Sequence, residues 1–332
     1  MSQNLNHLID KIQNKKIMVI GDMVADVYLE GKISRISREA PVLILEHAGE
    51  TVVPGGAANA VHNAATLGGA AYAVGVIGGD NAGQQLSQVL NSKNVNTQGF
   101  IIDVSRPTIT KTRVMAGGQA TVRQQIVRID RESKTTLAAE VEQQLLSYLE
   151  TNIRHMDVVV ISDYGGCTVS PAVRKRIIEI CNQSDIPSIV DSRYNIIDYT
   201  GIKLVKQNES EAAKALGLEV LDQDSLIKAG QTLLEKLASE AVLITQGPAG
   251  MTLFERSGAV AHIPVSNKTE VYDVTGAGDT VVVTTMLALA AGASYHDAAC
   301  LANFAAGVVV RKPGTATATP AELRAVIGEY YQ

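Results

Sequence analysis

Short runs of β-branched and aliphatic residues alternate, along most of the chain, with longer stretches whose apolar positions recur at helical spacing. "KIMVIGD" (16–22) is a buried-strand pattern ending in a loop. "AAYAVGVIG" (70–78), "DVVVIS" (157–162), "PSIVD" (187–191), "IKLVK" (202–206) and "AVLIT" (241–245) repeat it. Continuous apolar runs of this length suit strands covered on both faces. Helical patterns are predicted over 55–68, closed by Gly68 and Gly69, and over 137–150, 170–183, 209–217, 223–238, 277–292, 295–310 and 320–331. "MTLFE" and "VAHIP" read as a hairpin. The alternation implies an α/β fold with a mostly parallel central sheet and helices on both faces.

Two stretches break the rhythm. Residues 27–53, around "SRISREAPVLILE" and "GETVVPGG", and 99–130, with "FIIDV", "PTITKTRVMAG" and "QATVRQQIVRID", alternate polar with apolar positions. They predict small strands of a separate sheet. The expected organisation is an α/β domain from 1–26, 54–98 and 131–332, covered by a discontinuous β lid from 27–53 and 99–130. In open parallel sheets ligands bind beyond the carboxyl ends of the strands, which directs attention to Asp26, Asp163, Asp191, Asn208, Gly247 and residues 273–283.

Composition narrows the class. The 332 residues are 46% hydrophobic but contain no Trp and 3 Phe, so the core must be packed from Ala, Val, Ile and Leu. A net charge of −5 without any Lys/Arg cluster argues against a nucleic-acid footprint. Cys167, Cys181 and Cys300 form no C-x-x-C pair and read as reduced thiols in a reducing compartment. The N-terminal stretch lacks the apolar segment of a secretory signal. The longest small-apolar run, 281–293, is interrupted by Thr284, Thr285 and Gly292 and falls short of the ~18 residues of a membrane span. A soluble cytoplasmic protein with no membrane partner is expected.

The chemistry concentrates in "DVTGAGDTVVV" (273–283). With a helix starting near Ala277, the N–H groups of Gly276, Ala277 and Gly278 are unpaired and converge where the helix dipole favours negative charge, an anion hole. Such a hole suits a phosphate, or the charge that develops as a phosphoryl group is transferred. Asp279 stands within reach of an attacking hydroxyl and can accept its proton. The same residues also read as a plain helix start, with Asp273 as N-cap and Asp279 as a first-turn acid. A dinucleotide fingerprint fits poorly because Val281 replaces the last glycine, and no G-x-x-x-x-G-K-[ST] loop occurs.

"DVTGAGD", "PGGAANAVHNAATLG", "NESE" (208–211) and "TQGPAG" (245–250), in this order across almost the whole chain, resemble the signatures of the ribokinase-like (phosphofructokinase B type) carbohydrate kinases. The resemblance implies a ribokinase-like fold and ATP- and Mg²⁺-dependent phosphorylation of a sugar. It implies Asp279 as base and Gly276, Ala277 and Gly278 as the anion hole. Asn208 and Glu211 would order Mg²⁺ and water, although the same pair reads equally as a capped helix start. Thr245, Gly247 and Gly250 would line the nucleotide, and Asn303 the adenine. Asp26, Gly55, Gly56 and Asn59 would hold the sugar. Asp273 and Thr275, with the loop "RKPGTATATP", correspond to a potassium site of some relatives. A homodimer through the lid follows from the same family.

"GDMVADVYLEGKISRISREAPV", "RPTITKTRVMAGGQATVRQQIVRID", "VISDYGGC" and "ANFAAGVVVRKPGT" are further similar to the kinase domain of bacterial heptose kinases, which phosphorylate O1 of D-glycero-β-D-manno-heptose 7-phosphate. A phosphorylated sugar needs cations away from the anion hole. Lys111, Arg113, Arg128 and Arg193 are the candidates, with Asp163 and Asp191 nearby in the strand-end set. Arg38 and "DSRY" (191–194) depart from the Pro and "DPKG" of those kinases. Many of these proteins carry a second, nucleotidyltransferase domain; the expectation for this chain is the kinase alone. The alternatives are a kinase of ribose, fructose 1-phosphate, a deoxy-sugar acid or a nucleoside, or a non-catalytic nucleotide- or sugar-binding regulator.

Overall fold

The computed structural model describes residues 2–118, 121–218, 222–266 and 271–331. Gln119 and Ala120, within the second excursion, lie outside them. The buried aliphatic runs become β1 (Lys16–Gly21), β4 (Ala70–Ile77), β8 (Val158–Asp163), β9 (Ser188–Ser192), β10 (Leu204–Asn208) and β11 (Ala241–Thr245). With β5 (Asn96–Ile102), β12 (Met251–Glu255) and β13 (Val260–Ile263) they form a nine-stranded sheet in the order β13-β12-β11-β10-β9-β8-β1-β4-β5. Pairing is parallel from β11 to β5, and the predicted hairpin adds β12 and β13 antiparallel.

Period-2 alternation sends Ile17 and Val19 of β1 into one apolar cluster and Met18 and Ile20 into another. The first cluster takes α1 (Ser2–Lys11), α2 (Ala57–Thr66), α3 (Asn81–Ser92), α8 (Ala277–Ala290), α9 (Tyr295–Val309) and α10 (Pro320–Tyr330). The second takes α4 (Ala139–Asn152), α5 (Pro171–Gln183), α6 (Glu209–Ala215) and α7 (Gln223–Leu237). Helix α8 is buried continuously from Asp279 to Ala288, which explains its apolar, small-residue composition.

Pattern reading misses two helices. Helix α3, "NAGQQLSQVLNS", hides its stripe in a polar sequence: only Gly83, Leu86 and Leu90 are buried, and Asp80 caps it by accepting from the Gly83 amide. Helix α1 lies in the amphipathic, polar N-terminal stretch, to which no helix is assigned from the pattern, and Leu5, Leu8 and Ile9 bury one face of it.

The remaining parts of the two excursions form a four-stranded sheet, β3-β2-β6-β7, from β2 (Met23–Ile36), β3 (Leu43–Gly56), β6 (Ile109–Gly118) and β7 (Thr121–Arg131). Two expectations need correction. The strands of the first excursion are not short: β2 and β3 run 14 residues each and are rooted in the core, since Met23 to Val27 are buried. "FIIDV" does not join the small sheet, because Gly99 to Ile102 pair with Val74 to Ile77 of β4 at the edge of the large one. Register slips between Glu30 and Gly31 in the β2–β3 pair and between Val114 and Met115 in the β6–β7 pair, and Glu30 lies opposite Met115 across β2–β6.

Candidate active site

Helix α8 begins after Gly276, a residue in the left-handed region (φ 81°) that reverses the chain so that the first helical amides face outward. One of the three amides expected to be free is not: the Ala277 N–H donates to the Val274 carbonyl at 3.2 Å, because the turn folds that carbonyl under the helix start. Asp273 braces the turn, accepting from the amides of Thr275 and Gly314 at 2.9 Å each, and so ties it to the loop before α10.

Asp279 is buried, and both carboxylate oxygens are held. Asn59 Nδ2, from α2, donates to Oδ2 at 2.8 Å, and the Tyr164 hydroxyl, from the loop after β8, donates to Oδ1 at 2.9 Å. Asn59, expected at the sugar, turns its amide to the acid, in a chain that continues through Asn63 to Thr280. Burial pushes the Asp279 carboxyl up to about 6, the Asn59 bond opposes this, Asp191 adds to it, and Tyr164 and Lys206 pull it down. The acid therefore ionises near neutrality, as a general base requires.

Lys206, in the middle of β10, was passed over in the sequence. Its Nζ bonds Asp191 Oδ2 at 2.7 Å and lies 2.7 Å from where a Cβ on Gly278 would stand. Burial alone would strip its charge, but Asp191 and Glu211 overcome this and hold the ammonium protonated. A buried cation thus stands directly behind the anion-facing turn. A lysine inside a strand otherwise buried was the available signal.

Asn208 and Glu211 form a capping box at α6: Asn208 Oδ1 accepts from the Glu211 amide at 2.8 Å, and Glu211 Oε2 from the Asn208 amide at 3.0 Å. The helix-start reading is thus realised, and it fixes Glu211 close to Lys206. No group of three or more His, Cys, Asp or Glu among the described residues could hold a bare metal ion. Single oxygen ligands of this kind suit a hydrated Mg²⁺ that arrives with nucleotide phosphates.

Thr245 ends β11, and its hydroxyl donates to the Gln207 carbonyl at 3.4 Å. The turn over Gly247 and Gly250 follows; Gly250 has φ 96°, and a Cβ there would meet the Ile263 carbonyl oxygen at 2.1 Å. Asn303, from α9, donates to the Pro264 carbonyl at 2.7 Å and borders a cavity of about 190 Å³ lined also by Cys300, Phe304, Tyr330 and Tyr331.

On the other side, Asp26 forms a 2.8 Å ion pair with Arg113, whose guanidinium also stacks over Tyr28, and Gly55 packs against the Asp26 carboxylate. Gly56 is the N-cap of α2. Lys111 and Arg193 converge on opposite elements at the Tyr164 ring, 5.6 and 5.3 Å from its centroid. Arg128 is not drawn in: it is exposed and pairs with Asp130. Asp163 faces inward, accepting at 2.8 Å from Ser192 Oγ and the Tyr199 hydroxyl, so it anchors its loop.

The family of pfkB carbohydrate kinases matches residues 14–322. The bifunctional protein HldE of Desulfatibacillum aliphaticivorans is 42% identical over 311 residues, 93% of this chain and 62% of that protein. The protein of the same name in Geobacter metallireducens is 40% identical over 329 residues, 98% of this chain and 66% of that protein. The chain thus spans less than two thirds of the length of these relatives. Among solved structures, Escherichia coli phosphofructokinase-2 in complex with potassium superposes with a TM-score of 0.76 at 19% identity, covering 96% of this chain and all of that one. Arabidopsis thaliana ribokinase complexed with ribose and ATP gives 0.72 at 18%, covering 95% and 99%. These two likenesses establish the ribokinase-like fold.

Proposed function

The chain belongs to the pfkB family of carbohydrate kinases, phosphotransferases that act on a sugar hydroxyl with ATP, and from that membership we propose that it phosphorylates O1 of D-glycero-β-D-manno-heptose 7-phosphate. The observation that carries the sugar assignment is the pair Lys111 and Arg193 beside Tyr164. Among the described residues neither makes an ion pair, and both lie at the ring whose hydroxyl bonds Asp279, where a phosphate already on the substrate would find cations.

In this reading Asp279 takes the proton of the O1 hydroxyl as the oxygen attacks the γ-phosphorus. The new O1–P bond forms in line with the breaking bond to the ADP oxygen. The amides of Gly276 and Gly278, backed by Lys206, stabilise charge on the transferred oxygens. Glu211 and Asn208 would hold hydrated Mg²⁺, which neutralises phosphate charge. Thr245, Gly247, Gly250 and Asn303 line the nucleotide, and Asp26, Gly55 and Arg113 meet the sugar. Asp273 and Thr275 are where potassium would bind, a point tested by activity with and without K⁺. Exposed Ile33, Ile36 and Leu43 on the small sheet support a homodimer through it. No helix among the described residues is long and apolar enough to cross a membrane, which accords with a cytoplasmic enzyme.

The test is ATP consumption across a panel of sugars and sugar phosphates, with Asp279→Asn as control. Heptose 7-phosphate should be the best acceptor and Asp279→Asn should lose at least ~10²-fold in turnover. An inert heptose 7-phosphate beside an active unphosphorylated sugar would discard the cationic pocket. Near-normal turnover in Asp279→Asn would discard the base.

A further inference from the structure

Tyr164 joins more of the molecule than any residue singled out in the sequence. Its backbone belongs to a loop moored on Asp22, the residue after β1. The buried Asp22 carboxylate accepts from the amides of Tyr164 at 2.8 Å, Gly166 at 2.9 Å and Thr168 at 3.2 Å. Lys111 of β6, in the small sheet, and Arg193, which follows β9 of the large one, both lie over the ring, 5.6 and 5.3 Å from its centroid. The hydroxyl ends 2.9 Å from Asp279 Oδ1.

We propose that Tyr164 is a positioning residue for Asp279, fixing the plane of the carboxylate and strengthening its ionised form by a hydrogen bond delivered from a loop that Asp22 locks in place. This rests on the reading of Asp279 as the base. A free carboxylate can rotate; one gripped at Oδ2 by Asn59 and at Oδ1 by Tyr164 presents its remaining lone pairs in one direction. Burial, then the neighbouring Asp279, raises the Tyr164 phenol well above its ordinary range, so the hydroxyl stays a donor throughout the working pH range. Lys111 and Arg193 each bring a cation to the ring, so the small sheet touches the same residue that touches Asp279.

The charged and titratable groups facing this pair are Asp191 of β9, Lys206 of β10, Lys111 of β6, Arg193 and Asp22. All are retained in both variants that follow. Tyr164→Phe removes the donor and keeps the ring, and 2,3-difluorotyrosine at 164 makes the donor stronger. The readout is the pH profile of kcat/KM with ATP saturating. The acidic limb should move up by about one pH unit in Tyr164→Phe and down in the fluorinated protein, with KM for ATP unchanged in both. A purely structural tyrosine cannot produce shifts of opposite sign. Limbs that coincide with the wild type in both variants, alongside an inactive Asp279→Asn, overturn the positioning role alone. An active Asp279→Asn overturns the base assignment instead.

Discussion

Asp279→Asn should reveal how much folding stability the site gives up. Folding raises the Asp279 carboxyl from an ordinary 3.8 to about 6, chiefly because burial disfavours its charge. At 1.36 kcal/mol per pH unit this is about 3 kcal/mol. Because the folded value lies above the unfolded one, the stabilising contribution of the protonated acid is complete below pH 3.8. It is lost as pH rises through about 6, so the ionised carboxylate weighs on the native state at neutrality. Asparagine has no charge to bury, but its single acceptor cannot serve both Asn59 Nδ2 and the Tyr164 hydroxyl, an offset of about 1–3 kcal/mol. That offset does not vary with pH, whereas the ionisation cost does. Linkage over these two values places roughly 2 kcal/mol of the change between about pH 4.5 and about pH 7.5. Urea unfolding of both proteins at these two pH values, with reversibility verified, should show the variant gaining that much on the wild type as pH rises. A stability difference that stays constant across the range would refute the argument that Asp279 is held ionised against its surroundings.

Three substitutions probe the rest of the site. Gly276→Ala forces a side chain into a left-handed residue and places Cβ 2.5 Å from Asn59 Nδ2; kcat should fall by about 10²-fold, and steady-state kinetics that match the wild type would contradict the turn geometry. Gly250→Ala drives Cβ against the Ile263 carbonyl oxygen, so KM for ATP should rise several-fold and Tm should drop. Lys206→Met leaves the partly buried Asp191 without its partner, for a loss of about 3 kcal/mol in chemical unfolding. Adding Asp191→Asn should recover part of that loss without restoring turnover, and a simple sum of the two single effects would show that the pair is not coupled.

Periodicity made the large sheet legible because its strands are covered on both faces and so read as unbroken apolar runs, with α8 and α9 marked by equally apolar helices. It failed where burial is partial. Helix α3 buries little more than Leu86 and Leu90, and β5, at the sheet edge, is only partly buried and lacks the long apolar run of the central strands, which is why its end is grouped with the small sheet. The glycine turn, Asp279 and the Asn208–Glu211 pair were visible because each is a local pattern. Tyr164 and Lys206 were not, since nothing beside them in the chain records that β8 and β10 end around the same carboxylate. The bond from Asn59 to Asp279 was hidden for a similar reason: the two residues are 220 apart in the chain.

Of the register slips in the small sheet, those nearest the core fall in one line, and those between Ile33 and Arg35 and between Ala116 and Gly118 follow further out. Glu30/Gly31 breaks register against β3, Val114/Met115 breaks it against β7, and Glu30 and Met115 face each other across the central pair. Such a line is a crease. Below it β2 and β3 are clamped into the core with Asp26 and Gly55; above it they carry the exposed end of the sheet. A small sheet rooted in this way is expected to bend along this crease rather than swing on a linker, as a page bends near its binding. The residues proposed to meet the sugar, Asp26 and Gly55, lie on the bound side, so bending at the crease would move the free end without loosening the wall proposed for the substrate.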